Sequence, residues 1–193
     1  MLKTMPGQGR PWLELQDEMI TRSQGDARWR EGKTAVYVFN AGEDVAQVQK
    51  EAYTLFMSEN GLGPLAFPSL KQMEEEVVGM GLTLMHGGEQ AGGSMTSGGT
   101  DSITMAVKTA RDYALANTAL HGQPNLVLPW SAHPAFDKAA MLMQLEIRRI
   151  PCGSDLLADC VAMEQAIDAN TIMLVGSAPN FPYGLMDPIV KLG

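Results

Sequence analysis

The segment from Gly92 to Lys108, GGSMTSGGTDSITMAVK, places glycines and hydroxyl side chains directly before a stretch with helical character. Backbone N–H groups at the start of a helix have no partner within the helix and carry partial positive charge. Glycines let a ligand approach this backbone, and Ser or Thr hydroxyls add donors. The composition therefore favours a site for an anion such as a phosphate. The alternative is a flexible loop in which Thr100 or Asp101 only caps the helix.

A second residue that could do chemistry is His133, which follows the apolar run NLVLPW (125–130). That run predicts a buried strand, and ligands of open α/β sheets collect where the strands end. A purely structural hydrogen-bonding role is the alternative for this histidine. His86 and His121 occur in loop-like sequence, and no His, Cys, Asp or Glu residues have the spacing of a metal site, so no metal is expected.

The elements that position these residues alternate along the C-terminal part of the chain. Apolar runs predict strands over 125–130, 146–151 and 171–178, and apolar periodicity predicts helices over 101–120, 133–145 and 157–170. This alternation is typical of an α/β fold with a parallel sheet covered by helices on both faces. The remaining predictions are helices over 12–24, over 43–58, from Ser69 onward and from Asp187-Pro188, and a short strand-like or extended run over 34–39.

Composition limits the partners of the protein. The 193 residues carry a net charge of −8, which argues against nucleic acid or an anionic membrane surface as a partner. The N-terminal sequence has no apolar core of a signal peptide, and no apolar run has the length of a membrane span. Cys152 and Cys160 lack the spacing of metal ligands. We therefore expect a reduced, cytoplasmic protein.

Three segments, in this order and spacing, resemble the pyridoxal-phosphate-dependent lyases of the sphingosine-1-phosphate lyase type, within the decarboxylase-like (group II) fold-type-I enzymes. They are MTSGGTDSITMAVKTARDYA, SAHPAFDKAAMLMQLEIRRIP and AMEQAIDANTIMLVGSAPNFPYGLMDPI. The resemblance is strong from about Tyr37 to the end. It implies a helical N-terminal arm with a substrate-loop segment over 1–68, and the first half of the large cofactor-binding domain, with a partial sheet, over 69–193.

The resemblance also implies roles for single residues. The SGGT turn would hold the phosphate of pyridoxal phosphate, with Gly99 and Thr100 as direct contacts and Ser97 and Gly98 shaping the turn. The imidazole of His133 would stack on the pyridine ring and relay protons. Three further residues take positions near the cofactor or the substrate in this family: Ser177 near the cofactor, Tyr37 as a catalytic tyrosine and Asn60 near the substrate phosphate.

The expected activity is carbon–carbon cleavage of an amine substrate, such as retro-aldol cleavage of a long-chain-base phosphate, by an enzyme that works as a homodimer. The family often has a histidine where this sequence has Gly63, a difference that weakens the case for a sphingoid substrate. The resemblance places the aspartate that pairs with the pyridine nitrogen, and the lysine that binds the cofactor covalently, beyond Gly193. The alternatives are an amino-acid decarboxylase, a non-catalytic half that needs a partner chain, and a general phosphate-binding domain.

Overall fold

The computed structural model describes residues 4–193, which form seven α-helices and three β-strands. Two compact units are separable: the first ends at Lys71 and the second runs from Gln72 to Gly193. The helices, in chain order, are α1 (Trp12–Ser23), α2 (Glu43–Leu55), α3 (Pro68–Leu84), α4 (Gly99–Asn117), α5 (Ala135–Met143), α6 (Cys160–Gln165) and α7 (Ile189–Leu192). The strands are β1 (Asn125–Pro129), β2 (Glu146–Ile150) and β3 (Thr171–Leu174).

The first unit contains α1, α2 and the start of α3, and none of its described residues is fully buried. Apolar side chains that recur at helical spacing, such as Trp12 and Ile20 in α1, are exposed. The strand-like run expected over 34–39 is wrong, because this segment forms bends. A strand needs hydrogen bonds from a neighbouring strand, and none lies beside this segment among the described residues.

The second unit is built on a parallel sheet in the order β2-β1-β3, which confirms the predicted α/β class. Alternate residues of the central strand face opposite sides of the sheet. Leu126 and Leu128 pack with α4 and α5, whereas Val127 packs with Met163 of α6. Helices therefore cover both faces of β1, as expected for parallel strands joined by helical crossovers.

The strand order predicts a crevice at the carboxyl ends of the strands. The chain leaves β1 toward β2 through α5 on one face of the sheet, and returns to β3 through α6 on the other. Leu192 of α7, which follows β3, packs on the same face as α6, so the connections after the neighbouring strands β1 and β3 diverge to opposite faces. In open α/β sheets this switch point is where ligands bind.

A polar network fixes the opposite edge, where the strands begin. Asn125 is fully buried; its Nδ2 donates to Asp168 Oδ1 at 2.9 Å, and its Oδ1 accepts from Thr171 Oγ1 at 2.8 Å. Arg148 Nη2 lies 2.7 Å from Asp168 Oδ2. The hydrogen bond from Asn125, then the one from Arg148, then the N–H of Asn170 lower the pKa of Asp168 to about 2. The ionised carboxylate therefore ties β1 to β2 and to the loop before β3.

We expect the stability contributed by Asp168 to depend on pH below about 4. Its pKa is lower in the folded chain than in the unfolded chain, so the stabilisation is complete above the unfolded value and is lost as the pH falls toward 2. Thermal unfolding of the wild type and Asp168→Asn, followed by circular dichroism, should show a gap in Tm at pH 6 that narrows between pH 4 and pH 2. Asp26→Asn is the control, because the Asp26 side chain makes no hydrogen bond or ion pair among residues 4–193. An equal difference in Tm between the wild type and Asp168→Asn at all pH values would contradict a stabilising role of the ionised Asp168 carboxylate.

Candidate active site at the carboxyl edge of the sheet

The glycine-rich segment ends in a sharp turn into α4. Gly98 precedes the helix with φ of 152° and ψ of 174°, a conformation that is essentially restricted to glycine. The helix begins at Gly99, two residues earlier than predicted. Among the described residues, nothing accepts a hydrogen bond from the N–H groups of Gly99, Thr100 and Asp101. The Thr100 hydroxyl makes no hydrogen bond there either, so four donors remain available at this turn.

Side chains on either side of the turn hold its shape. The backbone N–H and hydroxyl of Ser97 both donate to Asp101 Oδ2, at 3.0 and 3.1 Å. The hydroxyls of Thr96 and Ser102 lie 2.6 Å apart. The Ser97 hydroxyl is therefore engaged within the turn, whereas Gly99 and Thr100 keep their donors free. The two donors of Ser97 also offset the charge of Asp101, the acidic side chain closest to the turn in sequence.

His133 lies in the turn that joins β1 to α5. Its Nδ1 accepts a hydrogen bond from the Ala135 N–H at 3.0 Å. In the neutral imidazole the proton must then be on Nε2, which makes Nε2 the donor. The side chain is exposed, although the neighbouring Ser131 and Ala132 are buried. Its backbone is thus fixed by the core while its ring is accessible.

Ser177 lies three residues after β3 and is held by a buried carboxylate. Asp187 is 4% exposed; its Oδ2 accepts from the Ser177 N–H at 2.8 Å and its Oδ1 from the Ala158 N–H at 3.0 Å. The Asp187 N–H donates in turn to the Ser177 carbonyl at 2.9 Å. The sequence predicts Asp187 only as a helix start, because its hydrogen-bond partners lie 10 and 29 residues away along the chain.

One hydrophobic cluster brings the three turns to the same edge. Ile103, at the start of the second turn of α4, packs against the cluster that contains Ala132, just before His133, and Val175, two residues before Ser177. Helix α5 joins two parallel strands, so it starts at the carboxyl end of β1. Helix α4 packs against α5 on the same face, and its start lies at that edge too. The turn before α4, His133 and Ser177 therefore lie at the same edge of the sheet, where the switch point is.

Tyr37 and Asn60 belong to the first unit, and their roles stay predictions. Tyr37 has a φ of 75° and is 93% exposed. The Asn60 Oδ1 accepts from the Leu62 N–H at 3.1 Å, which gives Asn60 a structural role in its own turn.

Comparison with known proteins agrees with this architecture. The chain is 41% identical over 191 residues to sphingosine-1-phosphate lyase 1 of Mus musculus, which covers 99% of this chain and 33% of the mouse protein. It is 40% identical over 159 residues to a probable L-tyrosine/L-aspartate decarboxylase of Methanosarcina acetivorans, covering 76% of this chain and 40% of that protein. No family model matches the chain.

Solved structures give the same result. The Burkholderia pseudomallei sphingosine-1-phosphate lyase superposes with a TM-score of 0.90 at 35% identity, over 100% of this chain and 46% of the other. Glutamate decarboxylase of Lactobacillus brevis superposes with a TM-score of 0.74 at 17% identity, over 100% of this chain and 45% of the other, a likeness of fold alone.

The fold is that of the fold-type-I, decarboxylase-like enzymes. In sequence the chain is similar to the sphingosine-1-phosphate lyases along nearly its whole length. It spans about a third of the length of the curated relatives that it matches. Within residues 4–193, none of the helices has the length and apolar character needed to cross a membrane.

We expect Gly98 and Gly99 to respond differently to alanine. Gly98→Ala forces a side chain into a glycine-only conformation and should destabilise the chain by about 1–3 kcal/mol. Gly99→Ala is the matched control, because its Cβ would meet open space at an ordinary helical position. Urea unfolding of both variants measures the difference. Equal stability of the two variants would contradict the assigned backbone conformation.

Proposed function

We propose that this chain is the part of a pyridoxal-phosphate-dependent carbon–carbon lyase that binds the phosphate and the ring of the cofactor. The observation that carries the proposal is that one hydrophobic cluster joins the segments that carry the free amide donors at the start of α4, the exposed His133 imidazole and the Ser177 turn. The similarity to sphingosine-1-phosphate lyases supports the same assignment.

The donors of the turn fit a phosphate group. Three N–H groups and the Thr100 hydroxyl favour an anion with several acceptor oxygens, and the positive end of the α4 dipole adds to the attraction of this anion. A Cβ built at Gly98 or Gly99 meets no atom within 4 Å, so the approach to the backbone is open. The two hydrogen bonds that Ser97 donates to the Asp101 carboxylate limit the repulsion between this carboxylate and the anion.

The residues of this chain would bind, orient and move protons. Pyridoxal phosphate, when bound, supplies an electron sink for the carbanion that carbon–carbon cleavage produces. The amides of Gly99 and Thr100 would fix its phosphate, and the flat His133 imidazole would lie against its ring. Because Nδ1 of His133 is held by the Ala135 N–H, Nε2 is the atom that would donate or accept a proton near the substrate. Ser177 would contact the cofactor from the neighbouring turn.

The proposed substrate is a phosphorylated long-chain base, cleaved to an aldehyde and phosphoethanolamine. We also propose Asn60 as a contact of the substrate phosphate and Tyr37 as a catalytic residue, on the resemblance alone. The resemblance also supports a homodimer, and the cysteine usage supports a cytoplasmic location. The decarboxylase relative from Methanosarcina favours a second candidate, loss of carbon dioxide from an amino acid.

Binding of the cofactor tests the phosphate turn. We expect the chain to bind pyridoxal phosphate more tightly than pyridoxal, which lacks the phosphate. Thr100→Val should weaken binding of pyridoxal phosphate about tenfold by removing a hydrogen bond to a charged group, and should leave pyridoxal unaffected. Thr104→Val is the matched control, because the Thr104 hydroxyl is already bonded to the Thr100 carbonyl. Equal calorimetric affinities for both ligands would contradict the proposal, as would binding of other small phosphates without pyridoxal phosphate.

Turnover tests the reaction. The enzyme in its natural full length should release phosphoethanolamine from a long-chain-base phosphate, measured by mass spectrometry. His133→Phe keeps a flat ring but has no titratable nitrogen, so we expect cofactor binding to persist while kcat falls by about 10²-fold or more. Release of carbon dioxide from amino acids, with no phosphoethanolamine, would establish the decarboxylase instead.

A further inference from the structure

Arg149 of β2 reaches across to the end of β1. Its Nη1 donates to the carbonyl oxygens of Pro129, Trp130 and Ala132, each at 3.2 Å. Its Nε and Nη2 donate to the two carboxylate oxygens of Asp137, at 3.1 and 2.5 Å. One guanidinium therefore joins the last residue of β1, the following turn and the first turn of α5.

These contacts lie on both sides of His133. The carbonyl of Ala132 belongs to the peptide bond that enters His133, and Asp137 lies four residues after it. The imidazole itself is bonded to the Ala135 N–H, inside the bridged segment. A shift of this turn would therefore carry the imidazole with it, or break the hydrogen bond that fixes its tautomer.

We propose that Arg149 is a positioning residue that fixes the orientation and tautomer of the His133 imidazole at the carboxyl edge. The functional meaning of that orientation rests on the cofactor site proposed above. An arginine suits the task because its planar fork can bind a carboxylate through two nitrogens while still serving carbonyls. A lysine ammonium is a single point with three donors and cannot reproduce both sets of contacts.

The neighbouring Arg148 provides a matched control. It lies on the same strand with a similarly exposed side chain, 26% against 23% for Arg149. Its guanidinium faces the opposite side of the sheet and pairs with Asp168 and the Ala166 carbonyl. Loss of Arg149 costs hydrogen bonds and one ion pair, and loss of Arg148 costs hydrogen bonds and two ion pairs, with Glu146 and Asp168. Only loss of Arg149 should alter His133.

The experiment compares Arg149→Lys with Arg148→Lys in the 193-residue chain. Nitrogen-15 NMR of labelled histidine reports the tautomer of each imidazole, and the remaining histidines, His86 and His121, are internal references. We expect the wild type and Arg148→Lys to show His133 with its proton on Nε2. Arg149→Lys should show a mixture of tautomers, while thermal unfolding confirms that both variants are folded. Asp137→Asn, which removes one of the two bonded carboxylate oxygens, should show the same change to a smaller degree and replaces Arg149→Lys if that variant does not fold.

Calorimetric titration with pyridoxal phosphate is the second readout. We expect Arg149→Lys to raise Kd about tenfold and Arg148→Lys to change it less than about twofold. A wild-type His133 spectrum in Arg149→Lys would overturn the inference, and so would an equal disturbance in both arginine variants. If the wild type does not bind pyridoxal phosphate, the proposed function fails, whereas the imidazole spectra still decide the role of Arg149.

Discussion

The parallel pairing of β1 with a strand on each side is the constraint on which the second unit depends. It buries β1 completely, divides the side chains of this strand between two helical layers and sends the connections after β1 and β2 to opposite faces. The crevice at the carboxyl edge follows from this divergence rather than from any single side chain. Short turns after β1 and β3 place His133 and Ser177 at this edge, and the packing of α4 against α5 places the glycine-rich turn there.

Within that crevice, separate networks prepare each turn. Ser97 and Asp101 shape the turn before α4, Asp187 fixes the Ser177 turn, and Arg149 bridges the His133 turn. Each network satisfies local backbone groups and leaves other donors free for a ligand. Such preorganisation lowers the cost of binding, because little ordering remains to be done when the ligand arrives.

Much of this arrangement could be predicted from the sequence. Apolar runs located all three strands, and the glycines located the turn before α4, because burial and backbone freedom leave local signals. The run over 34–39 was misjudged since its residue types suit a strand but no partner strand lies beside it. The sequence does not reveal the roles of Arg149 and Asp187 for a related reason: their partners, which are mostly backbone groups, are brought near only by the fold.

The two arginines of β2 have a further consequence for how this strand tolerates change. Successive side chains point to opposite faces, so Arg148 fastens the edge where the strands begin while Arg149 fastens the edge where they end. Inserting or deleting one residue of β2 before Arg148 would move each arginine side chain to the opposite face of the sheet, away from its partners. Evolution can therefore vary the length of the surrounding loops far more readily than the spacing within this short strand.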